Sequence, residues 1–302
     1  MVSHVILFPG QGAQYVGMAG ELTKRSPEAA KVFSTASQLL GYDLLDVCLN
    51  GPAEKLNSTE LSQPAIFVSS IAALEEAKAN NPSIVQGCVG TAGLSLGEYT
   101  ALVFAEAITF EDGLRLVAER GKAMQQAADI TPSTMASVLL LDQQKLGDLC
   151  QRAGQGTNAV TIANFLCPGN LVVSGSVSAV AELEKLAQAA GGKTIRLSVA
   201  GAFHTHFMQS AQARLSKALS DTSIKNPRIP VWSNVTGRRH GNPSEIRDLL
   251  GRQVVEPVQW ENLMLDILNQ SVENFYEVGP GKVLAGLLKR INRKVSCVGV
   301  PA

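Results

Sequence analysis

Residues Val85-Gln86-Gly87-Cys88-Val89-Gly90-Thr91-Ala92-Gly93-Leu94-Ser95-Leu96-Gly97-Glu98-Tyr99-Thr100-Ala101-Leu102 decide the fold. Val85–Thr91 reads as a short strand, and Leu96–Ala107 reads as a helix. Between them, Gly93-Leu94-Ser95-Leu96-Gly97 matches the pattern GxSxG. A strand that turns sharply into a helix at this pattern lifts its serine to the carboxyl edge of a sheet. The glycines permit the tight turn and a close helix–strand approach. The N–H of Leu96 falls at a helix N-terminus, where donors are unpaired and the dipole favours negative charge. The same five residues could make a plain connecting turn, but the strand before them and the helix after them favour a nucleophile, Ser95.

Outward from this turn, strand-like and helix-like stretches alternate. Val5–Phe8 is a first strand that ends in a glycine-rich turn. Gly17–Leu40 and Pro64–Ala79 are helical in composition, and Phe110–Ala128 is a further helix, with Thr109 and Asp112 as its capping pair. This alternation predicts an α/β fold, a mainly parallel sheet covered on both faces. Near Thr131 the rhythm changes. Met135–Leu141, Gln143–Ala153, Val160–Phe165, Leu171–Ser174, Val177–Ala190 and Thr194–Ser198 follow the order β-α-β-β-α-β, that of a ferredoxin-like α+β subdomain. The chain thus divides into a large α/β-hydrolase-like domain, residues 1–130 and 199–302, and an inserted subdomain, residues 131–198. The remainder reads as a helix (Met208–Leu219), a short strand (Val231–Ser233), a helix (Glu261–Asn269), a strand (Asn274–Val278) and a last helix (Val283–Asn292).

Composition narrows the function. Hydrophobic residues make up 45% of the 302 and charged residues 17%, a ratio that suits a well-buried globular enzyme. The formal net charge is zero, so no global field recruits nucleic acid. No apolar run approaches the roughly 18 residues that cross a bilayer, and the N-terminus lacks the basic start of a signal peptide. The five cysteines are scattered, with no CxxC and no Cys/His cluster, so reduced thiols and no metal site are expected.

A serine nucleophile needs a base. Of the four histidines, His4 lies in the first strand, and His240 sits in a loop-like run with Arg238, Arg239, Gly241, Asn242 and Pro243. His204 and His206 remain, and spacing favours neither. No carboxylate lies near them in sequence, so a carbonyl could orient the ring instead. Arg120 shares a helix face with Leu116, Val117 and Met124, an apolar face on which a charge needs a partner. A substrate carboxylate would supply one; an arginine snorkelling at the helix edge is the alternative. Two other patterns fail. Gly10-Gln11-Gly12 would need glycine at Tyr15 to make a dinucleotide fingerprint, and Gly279-Pro280-Gly281-Lys282 lacks the first glycine and the hydroxyl of a phosphate loop.

Several ordered blocks carry a resemblance over nearly the whole chain: Phe8-Pro9-Gly10-Gln11-Gly12-Ala13-Gln14, the Ser95 turn with Glu98-Tyr99, Arg120-Gly121-Lys122-Ala123-Met124-Gln125, Ile162-Ala163-Asn164, Gly201-Ala202-Phe203-His204, Pro257-Val258-Gln259-Trp260 and Glu277-Val278-Gly279-Pro280-Gly281-Lys282. With these, the sequence resembles the malonyl-CoA:acyl carrier protein transacylases of type II fatty acid synthesis and is similar to polyketide synthase acyltransferase domains. The resemblance implies Ser95 as nucleophile and His204 as base. It implies an oxyanion hole from Gln11 and the Leu96 N–H, a carboxylate grip by Arg120, and orientation of the histidine by the Gln253 carbonyl. Met124 and Asn164 match pocket positions. Phe203 would crowd a substituent on the malonyl α-carbon. Leu94 departs from the histidine that many bacterial members carry there; the run Gly93–Leu102 is closer to plastid members and some bacterial ones.

The expected partners are malonyl-CoA and the phosphopantetheine arm of an acyl carrier protein, with no cofactor, no metal, no nucleic acid and no membrane. A cytoplasmic monomer is expected, a plastid stromal protein being the alternative location. Lys282, Lys289, Arg290, Arg293 and Lys294 form a late basic group; it suits an acidic carrier and equally the end of a helix. A serine hydrolase and a non-catalytic carrier-binding subunit are the rival functions.

Overall fold

The computed structural model describes residues 3–302. The chain runs through β1 (His4–Phe8), α1 (Gly20–Arg25), α2 (Pro27–Leu40), α3 (Leu44–Asn50), α4 (Ala53–Asn57), α5 (Thr59–Asn80), α6 (Ser83–Gln86), β2 (Cys88–Gly93), α7 (Gly97–Phe104) and α8 (Phe110–Ile130). It continues with β3 (Ser133–Leu139), α9 (Gln143–Ala153), β4 (Val160–Cys167), β5 (Asn170–Ser176), α10 (Val177–Ala189) and β6 (Lys193–Arg196). The last stretch holds α11 (Gln209–Ser220), α12 (Pro243–Arg252), α13 (Trp260–Leu268), β7 (Asn274–Gly279), α14 (Val283–Ile291) and β8 (Ser296–Pro301).

Two sheets result. The first has the order β2-β1-β7-β8, and all its pairings are parallel. Such a sheet needs cover on both faces, and β1 shows how it is met. Ile6 and Phe8 enter one core with α5, α7 and α8, while Val5 and Leu7 enter a second with Trp260, Leu263 and Leu284. The alternation of the pleat thus feeds two apolar clusters from one five-residue strand. The second sheet has the order β4-β5-β3-β6, with every neighbour antiparallel, and packs α9 and α10 over its own core of Val138, Leu146, Val173 and Leu183. This α/β architecture with an antiparallel β-α-β-β-α-β subdomain is the one expected from the sequence.

Several boundaries differ, each for a local reason. The stretch Gly17–Leu40, helical in composition, forms two helices, because Pro27 cannot continue α1 and Ser26 instead caps α2, accepting from the Ala29 N–H at 3.2 Å. The strand expected from Val85 begins at Cys88, because Ser83–Gln86 close a helical turn. Helix α5 begins at Thr59 and runs through Pro64, which the sequence placed at its start. Val231–Ser233 is no strand but a pair of isolated bridges, Thr91 to Val231 and Trp232 to Arg239. The Ser233 N–H turns to Arg238 and leaves the ladder. Helices α3, α4 and α12 and the strand β8 were not anticipated, although Asn242 before Pro243 is a capping signal. No helix among the described residues is long and apolar enough to cross a membrane.

The turn after β2 is tightly packed backbone against backbone. A Cβ on Gly97 would lie 2.2 Å from the Phe8 carbonyl oxygen, and one on Gly10 would lie 2.4 Å from that of Leu94. These two glycines let the end of β1 and the loop after it touch the β2–α7 turn. By contrast, a Cβ on Gly147 of α9 would meet nothing within 4 Å. Gly97→Ala is therefore expected to destabilise the fold by about 1–3 kcal/mol through overpacking, and Gly147→Ala to stabilise it by about 0.5–1 kcal/mol through helix propensity. Urea denaturation midpoints of the two variants check both signs.

Candidate active site

Ser95 sits between β2 and α7 with φ at +49°, a left-handed conformation rare for a residue with a side chain. The turn is held by its flanks. The Ser95 N–H donates to Asn234 Oδ1 at 2.7 Å, and Asn234 Nδ2 returns a bond to the Gly93 carbonyl at 2.7 Å. The Gly97 N–H bonds the Leu94 carbonyl at 2.9 Å and the Glu98 N–H bonds the Ser95 carbonyl at 3.2 Å. The intervening Leu96 N–H has no protein acceptor among the described residues. It points from a helix N-terminus, where a developing anion would be favoured.

The Ser95 hydroxyl touches two side chains. His204 Nε2 lies 2.9 Å from Oγ, and Arg120 Nη2 donates to the same Oγ at 2.9 Å. The other ring nitrogen, Nδ1, is 2.7 Å from the Gln253 carbonyl oxygen. A carbonyl can only accept, so Nδ1 carries the proton and Nε2 is left with a lone pair toward Ser95. His204 has φ at +61° and its own N–H bonds Val254, so backbone contacts as well as packing fix the ring. Burial, then the neighbouring Arg120 charge, hold the imidazole down at about 4. It is therefore uncharged at neutral pH and able to accept the serine proton.

Arg120 is 1% exposed. Its Nη1 donates to Gln63 Oε1 at 2.7 Å and its Nη2 to Gln253 Oε1 at 2.8 Å, and its guanidinium carbon stands 5.5 Å from the Tyr99 ring centroid. No carboxylate among the described residues lies within ion-pair distance, and Nε has no hydrogen-bond partner. Burial lowers its proton affinity, which Tyr99 and Glu98 partly restore.

The remaining anticipated residues fall around this centre. Gln11 follows β1 and donates from Nε2 to Thr59 Oγ1 at 3.5 Å. Met124, buried on α8, contacts Gln63 Nε2 through its sulfur at 3.4 Å. Phe203 is buried beside His204, with its carbonyl accepting from Ser174 at 2.9 Å. Asn164 lies on β4, bridged to Val258, and makes no hydrogen bond to Ser95, His204 or Arg120. His206 is exposed and packs on the Phe207 ring.

Four residues were not anticipated: Gln63, Glu98, Asn234 and His240. Glu98 is fully buried and accepts from the Asn234 N–H at 2.9 Å and from Gln253 Nε2 at 2.7 Å. Its other oxygen meets His240 Nε2 at 2.7 Å. The loop-like surroundings of His240 suggested a surface residue, but its side chain has no exposure. The only sequence signal was the position of Glu98, three residues after Ser95 in the first turn of the helix that follows it.

Comparison with known proteins agrees across the chain. Residues 5–299 match the model of the acyl transferase domain. The mitochondrial malonyl-CoA-acyl carrier protein transacylase of Mus musculus is 41% identical over 302 residues, covering 96% of this chain and 79% of its own. The malonyl CoA-acyl carrier protein transacylase of Bacillus subtilis is 37% identical, covering 97% and 92%. Among solved structures, the transacylase of that name from Coxiella burnetii superposes with a TM-score of 0.94 at 35% identity, covering 99% of this chain and 94% of its own. A malonyl-transacylase solved with its type II PKS acyl-carrier protein gives 0.94 at 35% identity, covering 99% and 96%.

Covalent labelling of Ser95 by a sulfonyl fluoride is expected to hold from pH 7 to about pH 5 and to fall as pH drops through about 4, where His204 takes a proton. Arg120→Ala removes a charge that lowers this value, so its midpoint moves to higher pH. A parent midpoint near the ordinary 6.5, or one that Arg120→Ala leaves in place, contradicts the assignment.

Proposed function

This chain belongs to the acyl transferase family, and from that premise we propose that it transfers malonyl from malonyl-CoA to the phosphopantetheine thiol of an acyl carrier protein, in a ping-pong reaction through malonyl-Ser95 that supplies fatty acid elongation. One observation carries the choice of acyl group. Arg120 is buried at the Ser95 oxygen with no carboxylate partner among the described residues. An uncompensated buried cation costs several kcal/mol, and an acyl group ending in a carboxylate supplies the missing charge. The Nε–H, which has no partner, and the adjacent Nη2 form the guanidinium edge suited to a two-point carboxylate bond.

The reaction follows from the distances. His204 Nε2 takes the Ser95 proton as Oγ attacks the thioester carbonyl. Arg120 releases Oγ and turns its Nη2 toward the malonyl carboxylate. The oxyanion is held by the Leu96 and Gln11 N–H groups, donors of a kind worth about 2.7–4 kcal/mol each. The C–S bond breaks, and the CoA sulfur leaves with the proton held by His204. The carrier thiol then gives its proton to His204, attacks the Ser95 ester, and the steps reverse. Phe203, next to the base, limits bulk at the malonyl α-carbon. Met124 supports Gln63, and Asn164 is assigned to the acyl pocket on the resemblance alone. All these side chains come from one chain, so a monomer suffices.

A hydrolase of the same architecture would have no use for a buried cation beside its nucleophile. Malonyl-CoA without acceptor is expected to leave a persistent malonyl adduct in the intact mass, absent from Ser95→Ala; rapid release of free malonate would support hydrolysis. Arg120→Ala is expected to lose about 10- to 100-fold or more in malonyl transfer, the worth of a charge-assisted bond, and far less in acetyl transfer. Equal losses would remove the carboxylate grip from the proposal.

A further inference from the structure

Glu98 is buried beneath the nucleophile turn but touches neither Ser95 Oγ nor the ring of His204. Its carboxylate receives three donors: the Asn234 N–H and Gln253 Nε2 on one oxygen and His240 Nε2 on the other. The Gln253 side chain lies between two charges. Its Nε2 faces Glu98, and its Oε1 faces Arg120 at 2.8 Å. The Oε1 end of this neutral amide is thus assigned by Arg120 and the Nε2 end by Glu98 together with the Ser95 carbonyl, which accepts from Nε2 at 3.0 Å, and the Gln253 carbonyl that bonds His204 belongs to the same residue.

We propose that Glu98 is a positioning residue for acyl-group selection, fixing through the Gln253 side-chain amide both the place and the charge balance of the Arg120 guanidinium, with His240 holding the carboxylate in register. The proposal rests on malonyl transfer as the activity and adds the device that keeps the cation ready for the substrate carboxylate. An amide free to turn over would present its NH2 to Arg120, donor against donor. A carboxylate directly on Arg120 would neutralise it and compete with substrate. An acid one amide away does neither: it helps dictate the amide's orientation and tempers the buried charge, yet leaves Nε unpartnered and, once Nη2 gives up Ser95 Oγ, the side-on edge to the ligand. Glu98 is among the groups that hold the proton on Arg120 against its burial.

His240 fits the same role. Its backbone N–H bonds the Val231 carbonyl at 2.8 Å, beside the edge of β2, and Arg239 next to it lies over the Trp232 ring at 5.1 Å. The loop is therefore pinned where the ring can reach Glu98. Nδ1 of His240 has no hydrogen-bond partner among the described residues, so the ring can move its proton to Nδ1 without breaking another bond.

That freedom makes Glu98→Gln a clean test. Its carbonyl oxygen can keep the Asn234 and Gln253 donors, its NH2 can face a His240 that has switched tautomer, and the change is then one of charge. In the full-length protein, with a cooperative melt retained, Glu98→Gln is expected to raise the KM for malonyl-CoA about tenfold and to leave acetyl transfer nearly as in the parent. A folded variant in which both acyl groups lose kcat together would reduce Glu98 to a brace of the turn and overturn the proposal. If Glu98→Gln does not fold, His240→Ala and His240→Gln decide. The malonyl-to-acetyl ratio should fall in His240→Ala, which leaves a carboxylate oxygen unpaired, and recover in His240→Gln, which restores a donor. A ratio unmoved in both overturns it equally. If the parent protein fails to move malonyl to a carrier thiol at all, the proposed function falls first, and these ratios are not the cause.

Discussion

A guanidinium out of water, with amides around it and no acid in contact, is the constraint on which the rest of this structure depends. Arg120 has to be buried to stand 2.9 Å from Ser95 Oγ, and burial makes its charge expensive. The protein meets the cost with dipoles. Gln63 and Gln253 turn carbonyl oxygens inward, and Tyr99 offers its ring face. These contacts hold the cation without satisfying it. The same charge lowers the proton affinity of His204, the second cause after burial, so it also sets the state of the base.

The backbone supplies the other half of the geometry. Ser95 and His204 both have left-handed φ values, +49° and +61°, which costs of order 1–3 kcal/mol for each such residue. That strain persists because each position is over-determined. The serine turn is bonded on both sides by Asn234 and packed glycine against carbonyl, while His204 hangs from Val254 by its N–H and from Gln253 by its ring. Parallel pairing of β1 with β2 brings the loop holding Gln11 beside the turn holding Ser95, and α8 crosses beneath to deliver Arg120. None of these elements is adjacent in sequence; the parallel sheet makes them neighbours.

What sequence could convey follows the same division. The Ser95 turn was legible because strand, glycine, serine and helix lie within a few residues, and local chemistry alone shapes them. The β-α-β-β-α-β order was legible for the same reason. The apolar face around Arg120 told of a charge on the inner side of a helix but not of its neighbours. Choosing between His204 and His206 was beyond spacing, since only the folded chain turns one inward and leaves the other exposed against the Phe207 ring. Gln253 had no local mark and came from resemblance alone. His240 was misread because its loop is polar, while its partner, Glu98, lies 142 residues away. Strand β8 escaped notice because it is an edge strand with mostly exposed side chains and little apolar alternation.

A histidine backed by a carbonyl, not by an acid, suits a reaction that brings its own negative charge. A carboxylate at position 253 would be drawn to Arg120 and would occupy the group meant for the substrate. With a neutral partner the imidazole is a weak base, held near 4 by burial and then by the Arg120 charge. In the proposed reaction the malonyl carboxylate neutralises that charge on arrival, and the depression from Arg120 is relieved. The base thus strengthens once an acid-bearing acyl group is in place, and an acyl group without one leaves it weak. Selection of the acyl group and activation of the serine then become two effects of one neutralised cation.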